Sequence, residues 1–189
     1  MAGSTKERAP GLVEEWPFGF SAALPDGPWL VLHVKPRQEK QLIRNLRLMP
    51  YPGLCFFERR LRHYPGKGTQ ESLLPLLSGY LFVNAGRDER QPLFDTQRVV
   101  RILDVTQPTK LTSDLQNLCR LVGAAASPLV VRPELVIGKA ITVTQGTFAG
   151  CTGVVQRRER AYELVVNLEM LGQSVAVTLP AEFAELARD

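Results

Sequence analysis

Residues 138–155 read Gly-Lys-Ala-Ile-Thr-Val-Thr-Gln-Gly-Thr-Phe-Ala-Gly-Cys-Thr-Gly-Val-Val, and no other stretch of the chain restricts its fold so tightly. Ile141 and Val143 alternate as one side of a half-buried strand, and Val154 and Val155 resume strand character after the glycines. Gly146 and Gly150 suit backbone at positive φ, and Gly153 suits the close approach of a neighbouring strand. The run predicts a tight β-turn module. Beyond Val136 the pattern holds short strands only, near 139–144, 153–159, 162–168 and 174–179, so the C-terminal part is expected to be a small all-β unit.

A chain of 189 residues has room for one medium domain or two small ones, and the change in pattern near residue 123 favours two. With 44% hydrophobic and 22% charged residues, neither wholesale disorder nor a membrane protein is indicated. No window has the apolar length of a membrane span, and the N-terminus lacks the apolar core of a signal peptide, so a cytoplasmic protein is expected. Cys55, Cys119 and Cys151 form no CxxC pair. That spacing argues against zinc and against a disulfide framework, and predicts reduced, mostly buried thiols.

Charge is unevenly distributed. Residues 28–110 carry fourteen basic and seven acidic groups, whereas residues 134–189 carry five basic and seven acidic ones. If nucleic acid is a partner, its phosphates should meet the first folded domain.

Residues 1–27 show no sustained periodicity and are punctuated by Pro10, Gly11, Pro17, Gly19, Pro25 and Gly27, which predicts a mobile tail. Order is expected to start at Trp29, with Trp29-Leu30-Val31-Leu32-His33-Val34 as a central strand covered on both faces. After Pro36, Leu42, Ile43, Leu46 and Met49 recur at helical spacing until Pro50 stops the helix. Leu54–Phe57 begins a second strand, continuing through Glu58–Tyr64 into an exposed basic hairpin turned at 65–68. Gly79–Val83 and Val99–Leu103 supply two more strands, with one short helix between them. Thr112 or Ser113 suits the cap of a helix with Leu115, Leu118, Cys119 and Val122 on one stripe, and 123–134 reads as the interdomain connection.

The glycine-turn run closely resembles a KOW motif, which opens a small five-stranded barrel in ribosomal proteins and in transcription factors of the NusG type. Trp29–Lys40 looks like the opening of a NusG-type N-terminal domain, where a tryptophan strand passes through Lys-Pro-Arg-x-Glu into the first helix. Pro75-Leu76-Leu77-Ser78-Gly79-Tyr80-Leu81-Phe82-Val83 is similar to that family's Pro-Leu-Phe-Pro-Gly-Tyr-x-Phe-Val strand, and departs from it at Leu77 and Ser78. The three blocks occur in the family's order over roughly 28–179.

The resemblance implies an α+β fold: an antiparallel sheet flanked by helices over 28–122, a linker over 123–134 and a small KOW β-barrel over 135–189. It implies a transcription elongation or antitermination factor of the specialised kind, whose first domain binds the clamp helices of RNA polymerase in a hydrophobic depression. By position, Trp29, His33, Tyr80 and Phe82 would line or support that depression. Lys35 and Arg37 at the first helix, with Arg59, Arg60, Arg62 and Lys67 on the hairpin, would contact upstream or non-template DNA. The barrel would recruit a further partner, a ribosomal protein or a termination factor. A second reading is a ribosome-associated RNA-binding KOW protein, which the acidic balance of 134–189 disfavours.

Catalysis is not expected. Pro65-Gly66-Lys67-Gly68-Thr69 lacks the spacing of a phosphate-binding loop, and His33 and His63 with isolated cysteines make neither a triad nor a metal site. No cofactor is implied.

Overall fold

A computed structural model describes residues 6–64, 68–158 and 161–179. Two antiparallel sheets organise them. The first is ordered β1 (Lys6–Trp16), β3 (Gly53–Tyr64), β5 (Tyr80–Val83), β2 (Leu30–Val34) and β6 (Val99–Asp104), and β4 (Gly68–Pro75) pairs with the outer half of β3. Helices α1 (Glu39–Leu46) and α2 (Arg90–Asp95) cover one face of this sheet. The other face packs against α3 (Pro108–Ala124).

Coverage on both sides explains the unbroken apolar run of β2. Leu30, Leu32 and Val34 share a core with Leu42, Ile43 and Leu46 of α1, while Val31 joins the core that contains Leu111, Leu115 and Leu118 of α3. Leu81 and Val83 of β5 face the first of these cores and Phe82 the second. The helical stripe of α1 is thus buried as its spacing predicts.

The second sheet runs β7 (Leu129–Arg132), β11 (Gln173–Thr178), β10 (Ala161–Leu168), β9 (Thr152–Arg158) and β8 (Ile141–Thr142). Its glycine-turn module folds back on itself: Val143 N–H donates to Cys151 O at 2.8 Å and Gly150 N–H to Val143 O at 2.7 Å. A Cβ at Gly153 would stand 2.4 Å from the carbonyl oxygen of Val165, so only glycine lets β9 lie so close to β10.

Four expectations change. Residues 6–16 are not a tail but a strand that pairs with β3 from Lys6↔Arg62 to Trp16↔Gly53. Pro10 sits where the register shifts between Ala9 and Gly11, so a residue that cannot donate to the ladder is absorbed by a bulge. Leu12 and Trp16 face the α1 core and Val13 the α3 core, an alternation too short to stand out between two prolines. Trp16 Nε1–H donates to Tyr51 O at 2.7 Å.

Residues 17–25 are also held: the Glu15 carboxylate accepts from the amides of Gly19 and Ser21, each at 2.7 Å, and Phe20 packs 6.0 Å from Trp29. Next, α3 begins at Pro108, a favoured residue in a first helical turn, rather than at Thr112. The interdomain connection shrinks, because α3 continues to Ala124 and Leu129-Val130-Val131-Arg132 forms a strand on β11. Finally, the strand expected over 139–144 is only Ile141–Thr142.

Candidate partner- and nucleic-acid-binding site

Strand register decides which side chains meet at the end of the first sheet. Tyr80 of β5 lies opposite His33 of β2, and His33 lies opposite Arg101 of β6, so the three form one cross-strand row. The His33 and Tyr80 rings stack, with centroids 5.3 Å apart and planes 24° from parallel. Both rings are half-buried and Arg101 is exposed. One row inward, Phe82, Val31 and Leu103 follow on the same face, with Phe82 fully buried and edge-on to Phe56 at 6.1 Å.

Arg101 reaches this row in regular register, two residues from Leu103 on the same face. The register of β2 and β6 shifts only beyond it, between His33 and Val34, which makes Val100 the extra residue, 53% exposed. A cavity of about 730 Å³ opens beside Arg101, with Leu103, Val105 and Met170 as apolar lining and Lys110, Asp114 and Glu169 as charged lining. Lys110 donates to Asp114 at 2.7 Å and lies 3.5 Å from Glu169. Burial holds the Asp114 carboxyl above its usual range, and the hydrogen bond to Asp114 raises Lys110.

A buried contact and a glycine conformation fix the row. The Glu39 carboxylate, at the start of α1, accepts from Gly79 N–H at 3.1 Å. Gly79 adopts φ 79°, and a Cβ there would stand 3.4 Å from the His33 ring. The left-handed conformation, which favours glycine, delivers Tyr80 into β5.

Of the four residues expected at an apolar depression, His33 and Tyr80 are thus partly accessible, and Trp29 and Phe82 lie beneath the surface. Trp29 directly precedes β2, and its Nε1–H donates to Pro25 O at 3.1 Å and to Thr112 Oγ1 at 2.8 Å. It ties the entry of the sheet to α3. Sequence reasoning missed Arg101, Gly79 and Glu39. Glu39 closes the Lys-Pro-Arg-x-Glu block and Gly79 opens the Gly-Tyr-x-Phe-Val block, so both were in view, but their contact joins blocks far apart in the chain.

The basic residues converge on the same end. Lys35 follows β2 directly, and its N–H donates to Arg98 O at 2.9 Å. Arg37 is exposed at φ 63°, a left-handed conformation unusual for a residue with a side chain. The outer half of β3 continues past Tyr80 and, with β4, projects from this end as a hairpin. Arg59 lies 3.6 Å from Glu71, and Arg60 lies 2.6 Å from Glu58, so each has an acidic neighbour. Arg62 stands opposite Gln70 in register, His63 and Tyr64 are exposed, and Lys67 lies outside the described residues.

The free thiols are withdrawn from chemistry: Cys55 and Cys151 are buried, and burial pushes Cys119 up to about 12. No group of acidic, histidine and cysteine side chains suited to a metal occurs among the described residues. No helix there is long and apolar enough to cross a membrane.

The family model for Transcription termination factor nusG matches residues 27–136, more than half of the chain. The chain belongs to the NusG family. The matched stretch contains the Tyr80–His33–Arg101 row, α1, the basic hairpin and α3, and it starts after β1. NusG proteins are non-enzymatic transcription factors of elongation and termination. No curated protein and no solved structure matches it significantly.

Proposed function

We propose that this NusG-family chain is an elongation and antitermination factor that grips the clamp helices of RNA polymerase with the β5–β2–β6 end of its first sheet. Tyr80 and His33 make the contact, and Phe82 and Trp29 hold them from beneath. The observation that carries this reading is the stacked His33–Tyr80 pair, left half-buried on a face otherwise covered by α3 and bordered by a part-apolar cavity. An aromatic pair on a preformed surface is the usual composition of a binding hot spot. Bound to the closed clamp more tightly than to the open one, the domain suppresses pausing and termination.

Lys35, Arg37 and the hairpin cations Arg59, Arg60, Arg62 and Lys67 then lie toward upstream or non-template DNA, contacting phosphates without reading sequence. The C-terminal unit is a KOW barrel that recruits a ribosomal protein or a termination factor, as in specialised paralogues acting in the cytoplasm. Support for the barrel comes from the glycine-turn module and from the five-strand order of the second sheet.

The test is co-purification of RNA polymerase with the full chain and with the Tyr80→Ala/His33→Ala variant. Loss of polymerase from a variant that keeps its unfolding midpoint is expected. Undiminished polymerase recovery would overturn the reading.

A further inference from the structure

We infer that β1 is a clasp: a strand outside the family match that holds the second sheet against the first domain and makes the two move as one body. Three observations converge on it. First, β1 occupies Lys6–Trp16, wholly before the residues that the NusG family model matches. The family match therefore does not extend to this strand.

Second, β1 meets both units at a single residue. A Cβ placed on Gly11 would stand 2.8 Å from Val122 Cγ1 in the last turns of α3 and 2.9 Å from Leu129 Cδ1, the first residue of the second sheet, with the Phe57 carbonyl oxygen 3.3 Å away. Real Cβ atoms essentially never come so close, so any side chain at this point of the strand must push Val122 and Leu129 aside. The clasp closes directly over the connection between the two units, at residues 125–128. Its far end is fixed by the Trp16 indole on Tyr51 O at 2.7 Å and by the Glu14–Arg47 ion pair.

Third, the surface that β1 backs is a specific one. Asn117 of α3 makes two hydrogen bonds with the backbone of Thr152: its Nδ2–H donates to Thr152 O, and its Oδ1 accepts from Thr152 N–H at 2.6 Å. Arg120 donates to Gly150 O at 3.2 Å, and Lys110 approaches Glu169 at 3.5 Å. The apolar core is continuous across the junction, joining Val13 of β1, Leu118 and Val122 of α3, and Leu129, Phe148 and Leu164 of the second unit. Polar contacts at a rim exposed to water are individually weak, of order 1 kcal/mol. A ten-pair ladder with an apolar contact behind it gives the latch its permanence.

The experiment compares rotational correlation times of backbone amides, by nitrogen-15 relaxation, in β2 and β10 of the full chain. The unmodified protein is expected to show one time for both sheets. Gly11→Leu pushes β1 away from Val122 and Leu129, and β10 is expected to acquire its own, shorter time while β2 keeps native chemical shifts. Arg44→Ala, on the exposed face of α1 and outside the clasp, is expected to leave a single time.

Should Gly11→Leu unfold the first domain, a milder pair decides. Gly11→Ala is expected to shorten the β10 time, and adding Val122→Ala with Leu129→Ala, which together vacate the space, to restore it. Two separate times in the unmodified chain, one shared time in a folded Gly11→Leu protein, or no recovery in the milder pair would each overturn the clasp.

Discussion

The two faces of the first sheet are built from the same strands and end differently. On the α1 side Leu30, Leu32, Val34, Leu81 and Val83 are all sealed, and that cover runs to the end of the strands. On the α3 side Val31 and Phe82 are sealed but the next row outward, Tyr80–His33–Arg101, emerges where α3 no longer reaches. An accessible row thus arises where helix cover stops one row short of the strand ends. The residues just inside the boundary belong to stability, and those just outside it are the ones we propose for binding.

Substitutions on either side of that boundary test the distinction. The largest effect is expected from Phe82→Ala, which removes a fully buried ring and should cost about 3–5 kcal/mol of unfolding free energy in a urea titration. Loss of polymerase from this variant alone would say nothing about contact. One row out, Tyr80→Ala should weaken polymerase binding by about 2 kcal/mol, roughly thirtyfold, with much less than that in stability. Equal losses in both measurements would erase the boundary.

Trp29→Phe keeps an aromatic ring but removes the donor shared by Pro25 and Thr112 and leaves part of the indole's space empty, so about 1–2 kcal/mol of stability should be lost with polymerase affinity retained. Smaller still is the thiol contribution. Cys119 is raised from the ordinary 9.0 to about 12 by burial, so its stabilisation is complete below pH 9 and declines as pH rises toward 12. Cys119→Ser should flatten the fall in unfolding midpoint across that interval, and the native thiol should resist labelling at neutral pH.

Much of this arrangement was legible in the sequence because it depends on local repetition. The apolar run of β2, the stripe of Leu42, Ile43 and Leu46, and the glycines at 146, 150 and 153 each declare their element within a few residues. β1 was not legible, since Pro10 and Pro17 punctuate it and its alternation acquires meaning only beside the open edge of β3. The site was half legible. Tyr80 and His33 are named by their motifs, but which of Trp29, His33, Tyr80 and Phe82 stays accessible depends on how far α3 extends over the sheet. Arg101 escaped because no motif names it, and it joins the row only through its register opposite His33.

The indole of Trp16 has an optical consequence. The chain has two tryptophans, one inside the strand that closes over both units and one at the threshold of β2, and both are dry in the folded protein. With Trp29 replaced by phenylalanine, Trp16 becomes a lone fluorophore whose emission shifts to the red when its strand peels away, reporting that event in real time without an added label.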